Sequence, residues 1–77
     1  MKRFRGYRAN PPAEYYDKGT ANAPTEAQYE GVVFTDGTLA LRWRTAFRST
    51  SLWDSYADFF EVHGHPEYGT IIEWLDE

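Results

Sequence analysis

From Tyr29 onward the apolar positions fall into short runs separated by turn residues. Gly31-Val32-Val33-Phe34 and Leu39-Ala40-Leu41-Arg42-Trp43-Arg44 flank Thr35-Asp36-Gly37-Thr38, and Asp-Gly between two β-prone runs signals a hairpin with a two-residue turn. A turn at Asp36 and Gly37 fixes the register as Thr35 with Thr38, Phe34 with Leu39, Val33 with Ala40 and Val32 with Leu41. It also assigns the faces, since side chains alternate along a strand. Val32, Phe34, Leu39, Leu41 and Trp43 are expected in the core, and Val33, Ala40, Arg42 and Arg44 on the opposite side.

Ser51-Leu52-Trp53 is β-prone but short, a candidate third strand. After it the period changes. Tyr56, Phe59, Phe60 and His63 fall at i, i+3, i+4 and i+7, one stripe of a two-turn helix. Ser55 stands where a cap belongs, with Asp58 three residues on. Gly64 suits the left-handed residue that ends a helix, and Pro66 prevents its resumption. Thr70-Ile71-Ile72-Glu73-Trp74-Leu75 reads as a last strand, apolar on both faces and so expected inside the sheet rather than at its edge.

The N-terminal part is less regular. Arg3-Phe4-Arg5-Gly6-Tyr7-Arg8 predicts a short edge strand or a flexible arm, with the strand preferred. Residues 9–28 hold Pro11, Pro12, Gly19 and Pro24 and few aliphatics, which excludes a central strand or a long helix and leaves a long loop, part of it wrapping the core. The whole chain is then a single α+β domain over 1–77: a small antiparallel β-sheet with one short helix, in the order ββ(β)αβ, with an extra N-terminal strand as an option. Residues 1–28 form its arm and loop, and 29–77 its hairpin, helix and last strand.

Composition changes this picture in three ways. Fourteen of 77 residues are aromatic (three Trp, six Tyr, five Phe), each ring able to bury roughly 150–250 Å², so a core can form without staples. There is no cysteine, which excludes disulfides, thiolate catalysis and thiolate metal sites. No apolar run approaches the roughly 20 residues of a membrane span, and Met1-Lys2-Arg3-Phe4-Arg5 lacks the apolar stretch of a signal peptide. A soluble cytoplasmic protein with no membrane contact is expected.

The net charge of −4 is unevenly distributed: residues 1–10 carry +4, residues 11–52 carry −1 and residues 53–77 carry −7. The simplest reading brings the two ends together, or leaves both as solvated surface.

No Gly-rich phosphate loop, nucleophile elbow or His-Glu-x-x-His motif is present, so the sequence predicts no enzyme, no catalytic residue and no cofactor. His63-Gly64-His65 is the one gathering of histidines, but two imidazoles fall short of a zinc ligand set, and His63 lies on the apolar stripe. His63 and His65 are read as structural, with no metal. Arginines interleaved with aromatic residues are the mixture that single-strand binders use. An acidic chain lacks the basic footprint such binders show. The preferred candidate binding residues are Arg42, Arg44 and Arg48, extended by Tyr7 or by Tyr15 and Tyr16, since Tyr, Trp and Arg anchor interfaces.

The segments Gly31-Val32-Val33-Phe34-Thr35-Asp36-Gly37-Thr38, Ala40-Leu41-Arg42-Trp43, Ser49-Thr50-Ser51 with Trp53-Asp54-Ser55, Val62-His63-Gly64-His65, and Thr70 with Ile72-Glu73-Trp74-Leu75-Asp76 together resemble a group of small proteins of actinobacteriophages and their hosts. The resemblance covers Gly31 to Asp76 and implies a phage or prophage origin. It carries over no activity and no site residue, and residues 1–30 lie outside it. The function expected is that of a phage-type accessory protein that binds a host or phage macromolecule, a protein before a nucleic acid, without chemistry of its own. The alternatives are a nucleic-acid-binding protein using the same arginines, and a small structural protein that self-associates, a homodimer for instance, through Val33 and Ala40.

Overall fold

The computed structural model describes residues 1–76, so Glu77 of the expected last segment lies outside the described residues. Five strands, β1 (Lys2–Arg8), β2 (Tyr29–Val33), β3 (Leu39–Trp43), β4 (Thr50–Trp53) and β5 (Thr70–Trp74), form one antiparallel sheet in the order β4-β3-β2-β1-β5. Helix α1 (Ala13–Asp17) follows β1, helix α2 (Tyr56–His63) joins β4 to β5, and Pro66–Tyr68 makes a 3₁₀ turn. The α+β class, the hairpin, the third short strand, the main helix, the last strand and the optional N-terminal strand are all present.

Two strands exchange the places expected of them. β1 is no edge strand: it pairs with β2 on one side and β5 on the other, while β5 takes the sheet's edge. The alternation in β1 accounts for this. Phe4, Gly6 and Arg8 turn inward and are buried, whereas Arg3 and Arg5 are exposed, the pattern of an antiparallel strand with one face in the core and one in water. The basic residues mark the wet face rather than a guarded edge. In β5, Ile72 packs on the core while Ile71 stays 57% exposed on the outer face. Arg3 pairs with Asp76 at 2.9 Å and Arg5 with Glu73 at 3.7 Å, so the basic and acidic ends of the chain do meet.

The hairpin is shifted by one residue from expectation. Val33 pairs with Leu39, Val32 with Ala40 and Gly31 with Leu41. The Gly37 N–H donates to the Phe34 carbonyl (3.0 Å), the Phe34 N–H to the Thr38 carbonyl (2.8 Å), and Gly37 has φ +91°. This is a three-residue loop with a left-handed third position, the next commonest hairpin after the two-residue type. The Asp36 carboxylate fastens it by accepting from the Thr38 N–H (3.0 Å) and hydroxyl (2.7 Å). A one-residue slip moves every side chain of a strand to the other face. Val33 therefore packs on the core, Val32 faces outward and Phe34 is exposed, while Leu39, Leu41 and Trp43 stay on the core side as expected.

The core is aromatic: Phe4, Tyr29, Phe59, Leu39 and Leu41 are buried, with Trp43, Trp53, Tyr56 and Ile72 packed against them. Phe4 lies across β2 at Gly31 and Tyr29 across β1 at Gly6, each glycine being the other ring's cross-strand neighbour. A Cβ at either glycine would collide with the facing ring. α2 carries Phe59 into this cluster, with Tyr56 and His63 half-buried beside it and Phe60 at the stripe's exposed rim. The Ser55 hydroxyl accepts from the Asp58 N–H at 3.1 Å, the expected cap. The helix ends differently. Gly64 is right-handed (φ −66°) and is required because a Cβ there would strike the Phe60 carbonyl and ring, and the left-handed residue is His65 (φ 38°).

Residues 9–28 are more ordered than a loop. α1 is exposed, but Ala21 and Gln28 are buried, and the Gln28 side chain clasps Asn22 by accepting from its N–H (2.7 Å) and donating to its carbonyl (2.8 Å).

Candidate binding surfaces

Because α2 links the two edge strands across a single face of the sheet, the opposite face is open to solvent. It displays Arg3, Arg5 and Tyr7 from β1, Glu30 and Val32 from β2, Ala40 and Arg42 from β3, and Leu52 from β4. Two shallow grooves run over it. One, of about 400 Å³, is lined by Arg3, Arg5, Val32, Ala40, Arg42 and Leu75. The other, of about 380 Å³, is lined by Arg5, Tyr7, Glu26, Glu30, Arg44 and Arg48. Four of the residues singled out in the sequence, Tyr7, Arg42, Arg44 and Arg48, thus meet on one continuous surface.

Their charges are not equally available. Arg44 is held by Glu30 at 3.2 Å, while Arg42 donates to the Thr50 hydroxyl at 3.1 Å. Among the described residues neither Arg42 nor Arg48 has an ion-pair partner. Tyr15 and Tyr16 do not extend this surface. They belong to α1, where the Tyr15 ring lies 6.3 Å from Tyr68, on the side of the histidines.

His63 and His65 have ring centroids 6.5 Å apart. His63 sits among Trp43 (5.0 Å) and Trp53 (5.5 Å), and its burial, helped by the charge of Arg8, lowers its pKa. His65 stacks on Tyr68 at 4.7 Å and its Nδ1 lies 2.8 Å from Glu67. Among the described residues no three metal-ligating side chains converge, here or elsewhere.

Arg8 was missed as a candidate in its own right. It is 7% exposed, at the inward end of β1. One guanidinium nitrogen donates to the His63 carbonyl at 3.4 Å, at the negative end of α2, and its Nε has no partner. Its Cζ lies 5.3 Å from the Tyr68 ring and 5.8 Å from Trp43, within cation–π range. Among the described residues no carboxylate is paired with it. Burial lowers its pKa, but a guanidinium still carries its proton at neutral pH. In the sequence Arg8 is one of four basic residues in an N-terminal cluster. Only the strand phase, which turns Phe4, Gly6 and Arg8 to one side, could have separated it from the others.

The Acb5 phage protein family model matches residues 29–76, well over half of the chain. The chain belongs to the Acb5 phage protein family. The Acb5 match spans Arg42, Arg44, Arg48, His63 and His65 and leaves β1, with Tyr7 and Arg8, outside it. No curated protein and no solved structure matches the chain. Among the described residues no helix is long and apolar enough to cross a membrane.

Proposed function

We propose that this phage protein is an accessory factor that acts in the host cytoplasm by binding a host or phage macromolecule, without chemistry of its own. The observation that carries this reading is the open sheet face, where Arg42 shares a groove with Val32 and Ala40, the 78%-exposed Leu52 stands opposite Ala40, and Arg48 lines the adjoining groove, neither arginine having an ion-pair partner among the described residues. Arginine set in aliphatic surroundings, with a tyrosine at its margin, is the composition that protein interfaces favour. A nucleic-acid reading draws on the same residues, because Tyr7 shares a groove with Arg5, Arg44 and Arg48. The ion pairs of Arg3, Arg5 and Arg44 weigh against it, since they consume charge that phosphates would need. Self-association through Val33 and Ala40 loses its ground because Val33 faces the core.

Affinity capture of the tagged protein from host lysate, with and without nuclease, tests the reading. A discrete protein retained after nuclease treatment is the expected result. Recovery of nucleic acid alone, with affinity falling steeply as salt rises, would transfer the function to the nucleic-acid reading.

A further inference from the structure

On the helix-covered side of the sheet, a cavity of about 370 Å³ opens over Arg8, walled by Tyr15, Trp43, His63, His65 and Tyr68 with Thr20 at its margin. Buried charges in proteins are ordinarily paired, because leaving one without a counter-charge is costly. Arg8 is more than nine-tenths buried, and its one recorded hydrogen bond is a long one to the His63 carbonyl. The Nε is unspent. Glu67, whose charge acts on Arg8 from a distance, makes no ion pair with it and is engaged with His65 instead. The rings that approach the guanidinium, Tyr68 and Trp43, stabilise a cation through their faces but neutralise nothing.

We propose that this cavity is an oxyanion site, in which a carboxylate or phosphate group of a ligand pairs with Arg8 while the aromatic walls receive the apolar part that carries it. The planar fork of a guanidinium matches either anion bidentately. The walls give the site shape before any ligand arrives: His65 and Tyr68 are stacked, and Tyr15 meets Tyr68 edge-on. His65 is held in the left-handed region at φ 38°, a conformation costly for a side-chain-bearing residue. The site is separate from the open sheet face and stands whether or not that face binds a partner.

NMR titration of the full-length ¹⁵N-labelled protein with inorganic phosphate, phenyl phosphate and benzoate, at constant ionic strength, tests this. Saturable shifts are expected at the Arg8 side chain, the Trp43 indole and the histidine rings, with phenyl phosphate or benzoate binding more tightly than inorganic phosphate. Preference between phenyl phosphate and benzoate identifies the oxyanion. Arg8→Gln is expected to weaken binding at least tenfold. Because that variant also removes a contact to α2, Tyr15→Ala, at a half-exposed position on α1, is the second probe and is expected to weaken the two aromatic ligands more than inorganic phosphate. Shifts that do not saturate, or that are as large at Arg42 and Arg48 as at Arg8, or that survive both substitutions, would overturn the proposal.

Discussion

At the scale of single residues, two glycines and two rings decide the packing. Phe4 over Gly31 and Tyr29 over Gly6 form a reciprocal pair across β1 and β2, in which each ring fills the place of a missing side chain. Phe4 then reaches Phe59, Tyr56 and Trp74 within 6 Å. Gly31→Ala puts a methyl into the Phe4 ring, and over-packing of a filled core costs typically 1–3 kcal/mol. Chemical denaturation should show a loss of about that size. Unchanged stability would mean that the ring has room to move and that the pairing does not organise the core. These roles were not legible in the sequence, where glycine in a strand suggests a bulge or weakness as readily as a seat for a ring. The Ser55 cap was legible because its partner is only three residues away.

At the scale of elements, the hairpin shows where local signals stop. Asp36-Gly37 announced a turn, but the same dipeptide serves a two-residue or a three-residue loop, and the choice reverses which side of β2 faces the core. Here the three-residue form places Val33 rather than Phe34 opposite Leu39. On β3 the core face read correctly because its alternation, Leu39, Leu41, Trp43, is unambiguous. The seam between β1 and β5 is closed by Asp76, whose carboxylate accepts from the Arg3 side chain and backbone N–H and is thereby held down to about 2. A carboxyl whose folded pKa lies below its ordinary 3.8 stabilises the fold above that pH and loses the effect as pH falls toward about 2. His63, also lowered, adds a contribution present above its ordinary 6.5 and lost as pH falls through its folded value. Stability should therefore decline on acidification in two stages. Amide exchange at Leu75, whose N–H donates to the Arg3 carbonyl, should report the lower one, and Asp76→Asn should diminish it, the lowered carboxyls of Asp36 and Glu67 supplying the remainder. A Leu75 profile unaltered by that substitution would exclude Asp76 as the fastening.

At the scale of the whole molecule, the chain's first strand holds the sheet together. β1 contributes Phe4 to the core and lies between β2 and β5, although the Acb5 match begins only at residue 29. A chain starting at Tyr29 would leave β5 without a neighbour, and it should be unfolded by circular dichroism and one-dimensional NMR. A cooperative melt of that fragment would show that β1 is an addition to a self-sufficient unit. Charge distribution hinted at this arrangement, since the basic start and acidic end neutralise each other across β1 and β5. What the sequence concealed is that a strand rich in arginine can be central when one face of its sheet stays in water.

That water-facing side is where the proposed function rests, with Arg42 and Arg48 as its cations without an ion pair among the described residues. Both are exposed, so replacing them with glutamine, which puts no second carboxylate opposite Glu30, should leave the melting curve close to that of the parent protein. The decisive measurement is the affinity of the captured partner for the Arg42→Gln, Arg48→Gln double variant beside the unaltered protein. A loss of tenfold or more with an unchanged melt is the predicted result. Equal affinity would place the interaction elsewhere on the molecule and contradict the account.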